Sequence, residues 1–153
     1  MRLTLKEQEK YEKAKIFFGQ IKQSDDRINS SFAELRRLNE LKYSISSSIT
    51  TDESGSIVTV HTQKQSTDAA YVNVIARIDE LEKKIEEETQ AFVKLREKVY
   101  DVIETAYNED AKSVLWHKYI DGMTNEKIAE KLDFSERQIR RIHKRALISV
   151  KIE

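Results

Sequence analysis

The residues with the clearest chemical purpose in this chain are basic and lie near its C-terminal end. Residues 124–147 read TNEKIAEKLDFSERQIRRIHKRAL. Between residues 135 and 151 there are six Lys or Arg residues and one acidic residue, although the whole chain has no formal net charge. Because a local patch of cations attracts polyanions whatever the total charge, this segment predicts a surface that binds nucleic acid.

Catalytic and metal-binding chemistry has less support in the sequence. The chain has no cysteine, and His61, His117 and His143 have no partner histidine at the spacing of a metal site. There is no glycine-rich phosphate loop, and the acidic run EKKIEEE is typical of a solvated helix face. We therefore expect a protein that is not an enzyme and that requires neither a metal ion nor another cofactor.

The basic residues can be gathered on one side of a single helix. At 100° per residue, an apolar stripe of this helix would face a small core and the cations would face solvent. The apolar stripe comprises Ile139, Ile142, Ala146 and Val150. The cationic side comprises Arg137, Arg140, Lys144 and Lys151, with Arg141 beside them. The N-terminal residues of such a helix can enter the major groove of DNA.

Two further helices are predicted immediately before this one. The first spans residues 110–120 and is followed by Gly122, which can adopt the left-handed conformation that ends a helix. Thr124 can cap the second helix, and Ser135 with Gln138 fits a capping box at the start of the third. Three short helices with a tight turn between the last two form the helix-turn-helix arrangement.

Residues 1–46 predict one long helix or two helices in series. Apolar residues recur there at helical spacing, and the SDD sequence at 24–26 is a candidate cap or break. The apolar positions are Ala14, Phe17, Ile21, Ile28, Phe32, Leu35, Leu38, Leu41 and Ile45. Residues 47–69 are rich in Ser and Thr, which compete for backbone hydrogen bonds, so a flexible loop with at most a brief β-hairpin is expected.

Residues 70–108 predict a second long helix with the pattern of a coiled coil. Every seventh position is apolar, at Ile78, Ile85, Phe92, Val99 and Ala106. The predicted fold is therefore all-α, with a long coiled-coil-like helical hairpin followed by a C-terminal domain at 109–153. Narrow apolar seams bury little surface, so we expect two chains to associate as a homodimer. The alternative is a monomer in which the seam packs against the C-terminal domain.

The segments HKYIDGMTNEKIAEKL and SERQIRRIHKRAL resemble region 4 of the sigma-70 family of transcription factors. Together with the SISSS loop and the acidic heptad helix, they are similar to small phage and prophage proteins related to the ArpU-type regulators of late transcription. The resemblance covers nearly the whole chain and implies a phage-type regulator with a sigma-70 region 4-like helix-turn-helix domain. One departure is Asp133, which stands in the turn where a glycine is common, although aspartate tolerates the left-handed backbone.

The resemblance also implies a binding site. The predicted DNA-binding set is Thr124, Ser135, Glu136, Arg137, Gln138, Arg140, Arg141 and Lys144. Glu136, Arg137 and Arg141 fall where the family's recognition helix reads bases. Arg140 and Lys144 fall where it holds phosphate. An acidic residue at position 136 suits the amino group of cytosine, so the promoter element of housekeeping sigma factors is not expected.

These features predict a sequence-specific transcriptional regulator that binds promoter or operator DNA as a homodimer, in the cytoplasm and nucleoid of a bacterial host. Double-stranded DNA is the expected partner, with host RNA polymerase as a further one. No membrane is involved, because no apolar run is long enough to span one. Two alternatives stay open: a small terminase-like DNA-packaging protein, and an interaction module that binds a polymerase subunit or a regulatory protein instead of DNA.

Overall fold

The structure is a computed structural model, and it describes residues 2–47, 49–51, 57–59 and 64–153. Within these ranges the fold is all-α, as predicted, apart from one short antiparallel pair of strands. A π-helical turn (Trp116–Ile120) follows the third helix directly. The helices are α1 (Leu5–Ser47), α2 (Lys64–Glu104), α3 (Glu109–Leu115), α4 (Asn125–Leu132) and α5 (Glu136–Ser149).

The first element, α1, is a single uninterrupted helix of 43 residues. Its start is capped reciprocally. The Thr4 hydroxyl accepts a hydrogen bond from the Glu7 N–H (3.3 Å), and the Glu7 carboxylate accepts one from the Thr4 N–H (2.8 Å). The chain has no proline, and the SDD sequence at 24–26 does not break the helix. Of the two arrangements predicted for residues 1–46, the structure has the single helix.

The segment between α1 and α2 is shorter than the loop predicted at residues 47–69. The helix α2 begins at Lys64 and ends at Glu104. Strand β1 (Ile49–Thr51) pairs antiparallel with β2 (Ile57–Thr59). All six strand residues are β-branched, and this side-chain type favours extended backbone over helix, which explains the brief hairpin. The predicted flexibility of residues 52–56 and 60–63 lies outside the described residues.

The chain forms two compact units. The terminal unit comprises Met1–Asp25 and Ala91–Glu153, and the hairpin unit comprises Asp26–Gln90. Both α1 and α2 contribute residues to each unit. The terminal unit also contains the three short helices of the C-terminal region.

The main core of the terminal unit joins the long helices to α3 and α5. Phe18, Leu115 and Leu147 are fully buried in it. The Phe18 ring stacks on that of Tyr119, with 4.7 Å between centroids. Phe17, predicted to face the core, is only partly buried. Its ring meets that of Phe18 edge-on, with 76° between the ring planes. This core continues across residue 109, the predicted start of the C-terminal domain.

The hairpin unit is stabilised by a narrow seam along α1 and α2. Its buried side chains are Ile28, Ser31, Val74, Ile78, Leu81 and Ile85. The Ser31 hydroxyl donates a hydrogen bond to Glu88 Oε2 (3.2 Å), which links the two helices. Of the predicted heptad positions, Ile78 and Ile85 are buried in this seam and Val99 is buried in the main core. Phe92 is only partly buried, and Ala106 lies beyond the end of α2. Phe32 and Leu41, predicted in the apolar stripe of α1, are about half exposed because they flank the seam.

Candidate nucleic-acid interface

The turn into α4 depends on two residues whose roles the sequence predicts. Gly122 has a φ of 67°, in the left-handed region that favours glycine. The Thr124 hydroxyl caps α4 by accepting a hydrogen bond from the Lys127 N–H (3.4 Å). Thr124 therefore has a local structural role in addition to its place in the predicted DNA-binding set.

The turn between α4 and α5 is tight and is held by several hydrogen bonds. Asp133 ends α4 in the left-handed conformation, with φ 58° and ψ 44°. Ser135 and Gln138 form the predicted capping box. The Ser135 hydroxyl accepts from the Gln138 N–H (3.2 Å), and Gln138 Oε1 accepts from the Ser135 N–H (2.8 Å). These bonds set the direction in which α5 leaves the turn.

One face of α5 is anchored at both ends of the helix. Ile139 is fully buried in a cluster with Val114, Ile128 and Ala129. Leu147, which the predicted apolar stripe did not include, is fully buried in the main core. Because close-packed contacts hold both ends, the outward direction of the side chains between them is fixed.

The opposite face of α5 is exposed and strongly basic. The helix contains five Lys or Arg residues and one Glu. Within the described residues, no ion pair involves Arg137, Arg141 or Lys144. The structure places every member of the predicted DNA-binding set at the surface, and the exposed residues are Thr124, Ser135, Glu136, Arg137, Gln138, Arg140, Arg141 and Lys144.

One of the predicted phosphate contacts is engaged within the helix. The Arg140 guanidinium forms an ion pair with the Glu136 carboxylate, which lies one turn earlier. The acidic residue comes first, which is the favourable order for an i, i+4 pair. Exposed pairs of this kind contribute less than about 1 kcal/mol, so a phosphate or a base could compete for either side chain.

Three basic residues outside α5 lie near residues of that helix, and sequence reasoning missed them. Arg2 and Lys144 line the same surface groove. Burial and, to a smaller extent, the nearby charges of Lys118 and Lys15 together lower the pKa of His143 to about 4. The sequence signal was weak, because only the excess of basic over acidic residues in residues 1–15 pointed to the N-terminal segment.

The imidazole of His143 is held in its neutral form. Burial raises the pKa of the Tyr119 hydroxyl, so this hydroxyl keeps its proton at neutral pH, and it is hydrogen-bonded with His143 Nε2 (2.7 Å). His117 Nδ1 lies 2.7 Å from Asp121 Oδ2, and His61 lies outside the described residues. Among the residues that are described, no group of three or more His, Cys, Asp or Glu side chains could hold a metal ion.

The π-helical turn carries a second aromatic contact. The rings of Trp116 and Tyr100 are stacked, with 4.9 Å between centroids and 17° between planes. The Arg96 guanidinium lies 5.7 Å from the centre of the Tyr100 ring. Trp116 remains 39% exposed. These contacts give Trp116 a packing role in the terminal unit.

Lys151, predicted on the cationic side of α5, is not part of that helix. The helix ends at Ser149, and Val150 has extended backbone (ψ 148°) with its side chain buried. The Lys151 N–H then donates to the Thr105 hydroxyl (2.9 Å). The prediction that α5 continues to Lys151 was therefore wrong. The chain leaves the helix after Ser149, where Val150 is buried and Lys151 bonds to Thr105.

Comparison with known proteins identifies a family. A family model described as "Protein of unknown function (DUF1492)" matches residues 44–151. The chain belongs to this family. No curated protein and no solved structure matches the chain.

The DUF1492 match covers the end of α1, all of α2 and the three helices of the C-terminal region. All predicted DNA-binding residues lie inside it, whereas Arg2 and Lys15 do not. Its description names no activity and is not that of sigma-70 region 4 or of an ArpU-type regulator. No helix in the described part of this DUF1492 protein combines the length and apolar character needed to cross a membrane.

Proposed function

We propose that this DUF1492 protein is a sequence-specific DNA-binding regulator of transcription. The observation that carries the proposal is the two-sided character of α5. One face is anchored by Ile139 and Leu147, and the other presents Arg137, Arg141 and Lys144 to solvent. In this proposal α4, the turn at 133–135 and α5 act as a helix-turn-helix, and the start of α5 enters the major groove.

The side chains of α5 would then divide into two groups. Arg137 and Arg141 lie about one turn apart and can each donate two hydrogen bonds to the edge of a guanine. Glu136 can accept from the amino group of a cytosine. Arg140 and Lys144 would hold phosphates, which position the protein without reading sequence. The cation Arg2, which lines the same groove as Lys144, would extend this electrostatic surface.

The regulator would act as a homodimer, so that two copies of α5 read two half-sites about one helical turn of DNA apart. The resemblance of the C-terminal segments to sigma-70 region 4, and of nearly the whole chain to small phage and prophage proteins, supports a phage-type regulator. It also supports action at the nucleoid of a bacterial host, with host RNA polymerase as a further partner. The basic face of α5 favours DNA over the alternative of a purely protein-binding module, which would not need these unpaired cations.

The test is selection of bound fragments from the source genome, phage or prophage included, with purified protein at near-physiological salt. We expect enrichment of one short repeated or palindromic site upstream of a block of genes. Uniform recovery of all fragments, or recovery of none, would contradict sequence-specific regulation. Recovery of none would also favour the protein-binding alternative.

Single substitutions separate base reading from phosphate contact. Arg137→Ala and Arg141→Ala should each weaken the free energy of binding to the selected site by about 1–3 kcal/mol. Each should also reduce the preference of the protein for that site over other sequences. Lys144→Ala should weaken binding to all sequences and reduce the slope of log affinity against log salt by about one. Arg37→Ala, at an exposed arginine of the hairpin unit, is the matched control and should bind DNA like the wild type. Unchanged affinity of Arg137→Ala would remove that residue from the interface.

The ion pair between Glu136 and Arg140 gives a further test of specificity. In Glu136→Ala the carboxylate can no longer accept from a cytosine or hold the Arg140 guanidinium. Affinity for unrelated DNA should rise, and the preference for the selected site should fall. Competition binding with selected and scrambled duplexes measures both quantities. A variant that lost affinity equally for both duplexes would contradict a base-reading role of Glu136.

A further inference from the structure

The apolar seam of the hairpin unit is occupied within one chain. Ile78, Leu81 and Ile85 are each less than 10% exposed, and the hydrogen bond from Ser31 to Glu88 links the same two helices. A second copy of the chain cannot use these side chains unless the hairpin opens. Association of two folded chains therefore requires a different surface.

An exposed stripe on α1 offers such a surface. Phe32 and Tyr43 are 48% and 78% exposed, which are large fractions for aromatic side chains. At 100° per residue, Phe32, Arg36, Asn39 and Tyr43 lie within about 60° of one another. These four side chains and Glu40 line one shallow groove. We refer to these five residues as the α1 stripe.

The two charged residues of the α1 stripe are open to a partner. Both Arg36 and Glu40 are exposed, and in the described part of the chain neither forms an ion pair. Their order along α1, basic residue first, is the less favourable one for pairing within a helix. The adjacent Arg37 differs, because it pairs with Glu34 (3.4 Å).

We propose that the α1 stripe is the surface through which two copies of the chain associate, with their α1 helices antiparallel about a two-fold axis. The midpoint between residues 32 and 43 lies within one residue of the midpoint between residues 36 and 40. A single axis therefore brings Phe32 of each copy to Tyr43 of the other, and Arg36 of each copy to Glu40 of the other. The contact spans about 16 Å of helix at 1.5 Å per residue.

The charge pattern identifies the occupant of the stripe as a second copy of this chain. A two-fold interface uses the same patch on both subunits, so the patch must be complementary to itself. The α1 stripe meets this condition, because it carries an acidic and a basic residue on opposite sides of the proposed axis. Aromatic residues and Arg are also the types enriched in the centres of interfaces.

This inference supplies the dimer that the proposed function assumes, but the basic face of α5 takes no part in it. The two proposals can therefore fail separately. A dimer that binds no specific DNA would contradict the proposed function alone. Specific DNA binding by a protein whose dimer does not depend on the α1 stripe would contradict this inference alone.

Sedimentation equilibrium of the full chain without DNA tests the inference. The wild type should be a reversible dimer. Arg36→Glu and Glu40→Arg should each raise the dimer Kd about tenfold or more, because like charges then meet at both symmetric contacts. An equimolar mixture of these two variants should form a heterodimer, in which opposite charges meet again. The double variant Arg36→Glu/Glu40→Arg should dimerise by itself.

The controls separate lost association from lost folding. Arg37→Glu makes the same charge change on the same helix outside the α1 stripe, and it should keep the wild-type Kd. Far-UV circular dichroism should show unchanged helix content in every variant. A wild type that is monomeric at roughly 100 µM, a dimer that tolerates both charge reversals, or a mixture that fails to recover association would each overturn the proposed interface.

Discussion

The terminal unit and the hairpin unit share the same two long helices, yet they are stabilised differently. In the terminal unit, side chains from several elements are fully buried together, among them Phe18, Leu115 and Leu147. In the hairpin unit, burial follows one narrow seam, and among its described side chains even the least exposed, Leu81, is 4% exposed. The shared core of several elements therefore holds α5 and its basic face in place, whereas the narrow seam leaves side chains on the flanks of α1 exposed.

The largest loss of stability is expected from Phe18→Ala, which removes a fully buried ring from the terminal unit. The free energy of unfolding should fall by about 3–5 kcal/mol, the range for truncating a core phenylalanine. Phe17→Ala removes the adjacent, partly buried ring and should lower the free energy of unfolding by clearly less. Urea denaturation followed by circular dichroism measures both losses. Equal losses would show that Phe18 does not have the central place in the core described above.

The second effect is a pH dependence confined to the terminal unit. Burial lowers the pKa of His143 from 6.5 to about 4. Between these values the unfolded chain binds a proton that the folded chain does not, so stability falls as the pH falls. The stabilisation from neutral His143 is complete above pH 6.5 and is lost by about pH 4, amounting to at most about 3 kcal/mol.

Carboxylates titrate in the same range, so the His143→Gln variant is the necessary control for this pH dependence. Its amide can still accept a hydrogen bond from Tyr119 but cannot take up a proton. Denaturation of both proteins at pH 7 and at a pH near 4.5 gives the comparison. The wild type should lose more stability than His143→Gln between the two conditions. Identical losses would mean that His143 is not kept neutral by burial.

A smaller effect is expected where local caps position α5. Ser135→Ala removes the hydroxyl that accepts from the Gln138 N–H (3.2 Å) and should cost about 1 kcal/mol of unfolding free energy. Thr124→Ala should cost less, because the hydrogen bond to the Lys127 N–H is longer (3.4 Å). Thermal denaturation ranks the two variants. The reverse order would indicate that the cap of α4 contributes more than its geometry suggests.

The smallest effect should come from an exposed ion pair of the hairpin unit. Lys84 Nζ lies 3.9 Å from Glu88 Oε1, and the Lys84 side chain is largely exposed. Lys84→Ala should change the unfolding free energy by at most about 0.5 kcal/mol. Leu81→Ala in the same unit should cost about 2–5 kcal/mol, because it opens the seam. Comparable losses in the two variants would refute the conclusion that the seam stabilises this unit.

Local features of the fold could be predicted from the sequence because they depend on near neighbours in the chain. The left-handed residues Gly122 and Asp133 are examples, and so is the capping box of Ser135 and Gln138. The heptad positions of α2 were equally accessible, since helical periodicity alone determines which residues share a face. Helix ends near long-range contacts were not, as the end of α5 at Ser149 and the hydrogen bond from Lys151 to Thr105 show.

For the candidate site too, the features that depend on near neighbours in the chain could be predicted, and those that depend on tertiary packing could not. Exposure of Arg137, Arg141 and Lys144 follows from their position opposite the apolar stripe of α5. The grouping of Arg2 with Lys144 depends on tertiary packing between segments far apart in the chain, and no local pattern encodes it. The choice of Phe18 over Phe17 for the core also depends on packing, because adjacent helical positions differ by only 100°.

The stack of Trp116 on Tyr100 gives the molecule an optical reporter of one unit. Trp116 is the only tryptophan in the chain, and it lies in the terminal unit. Its fluorescence will therefore follow the surroundings of the C-terminal helices, while the far-UV signal sums the long helices of both units. If the two units unfold at different urea concentrations, the two signals will separate without any label having been added.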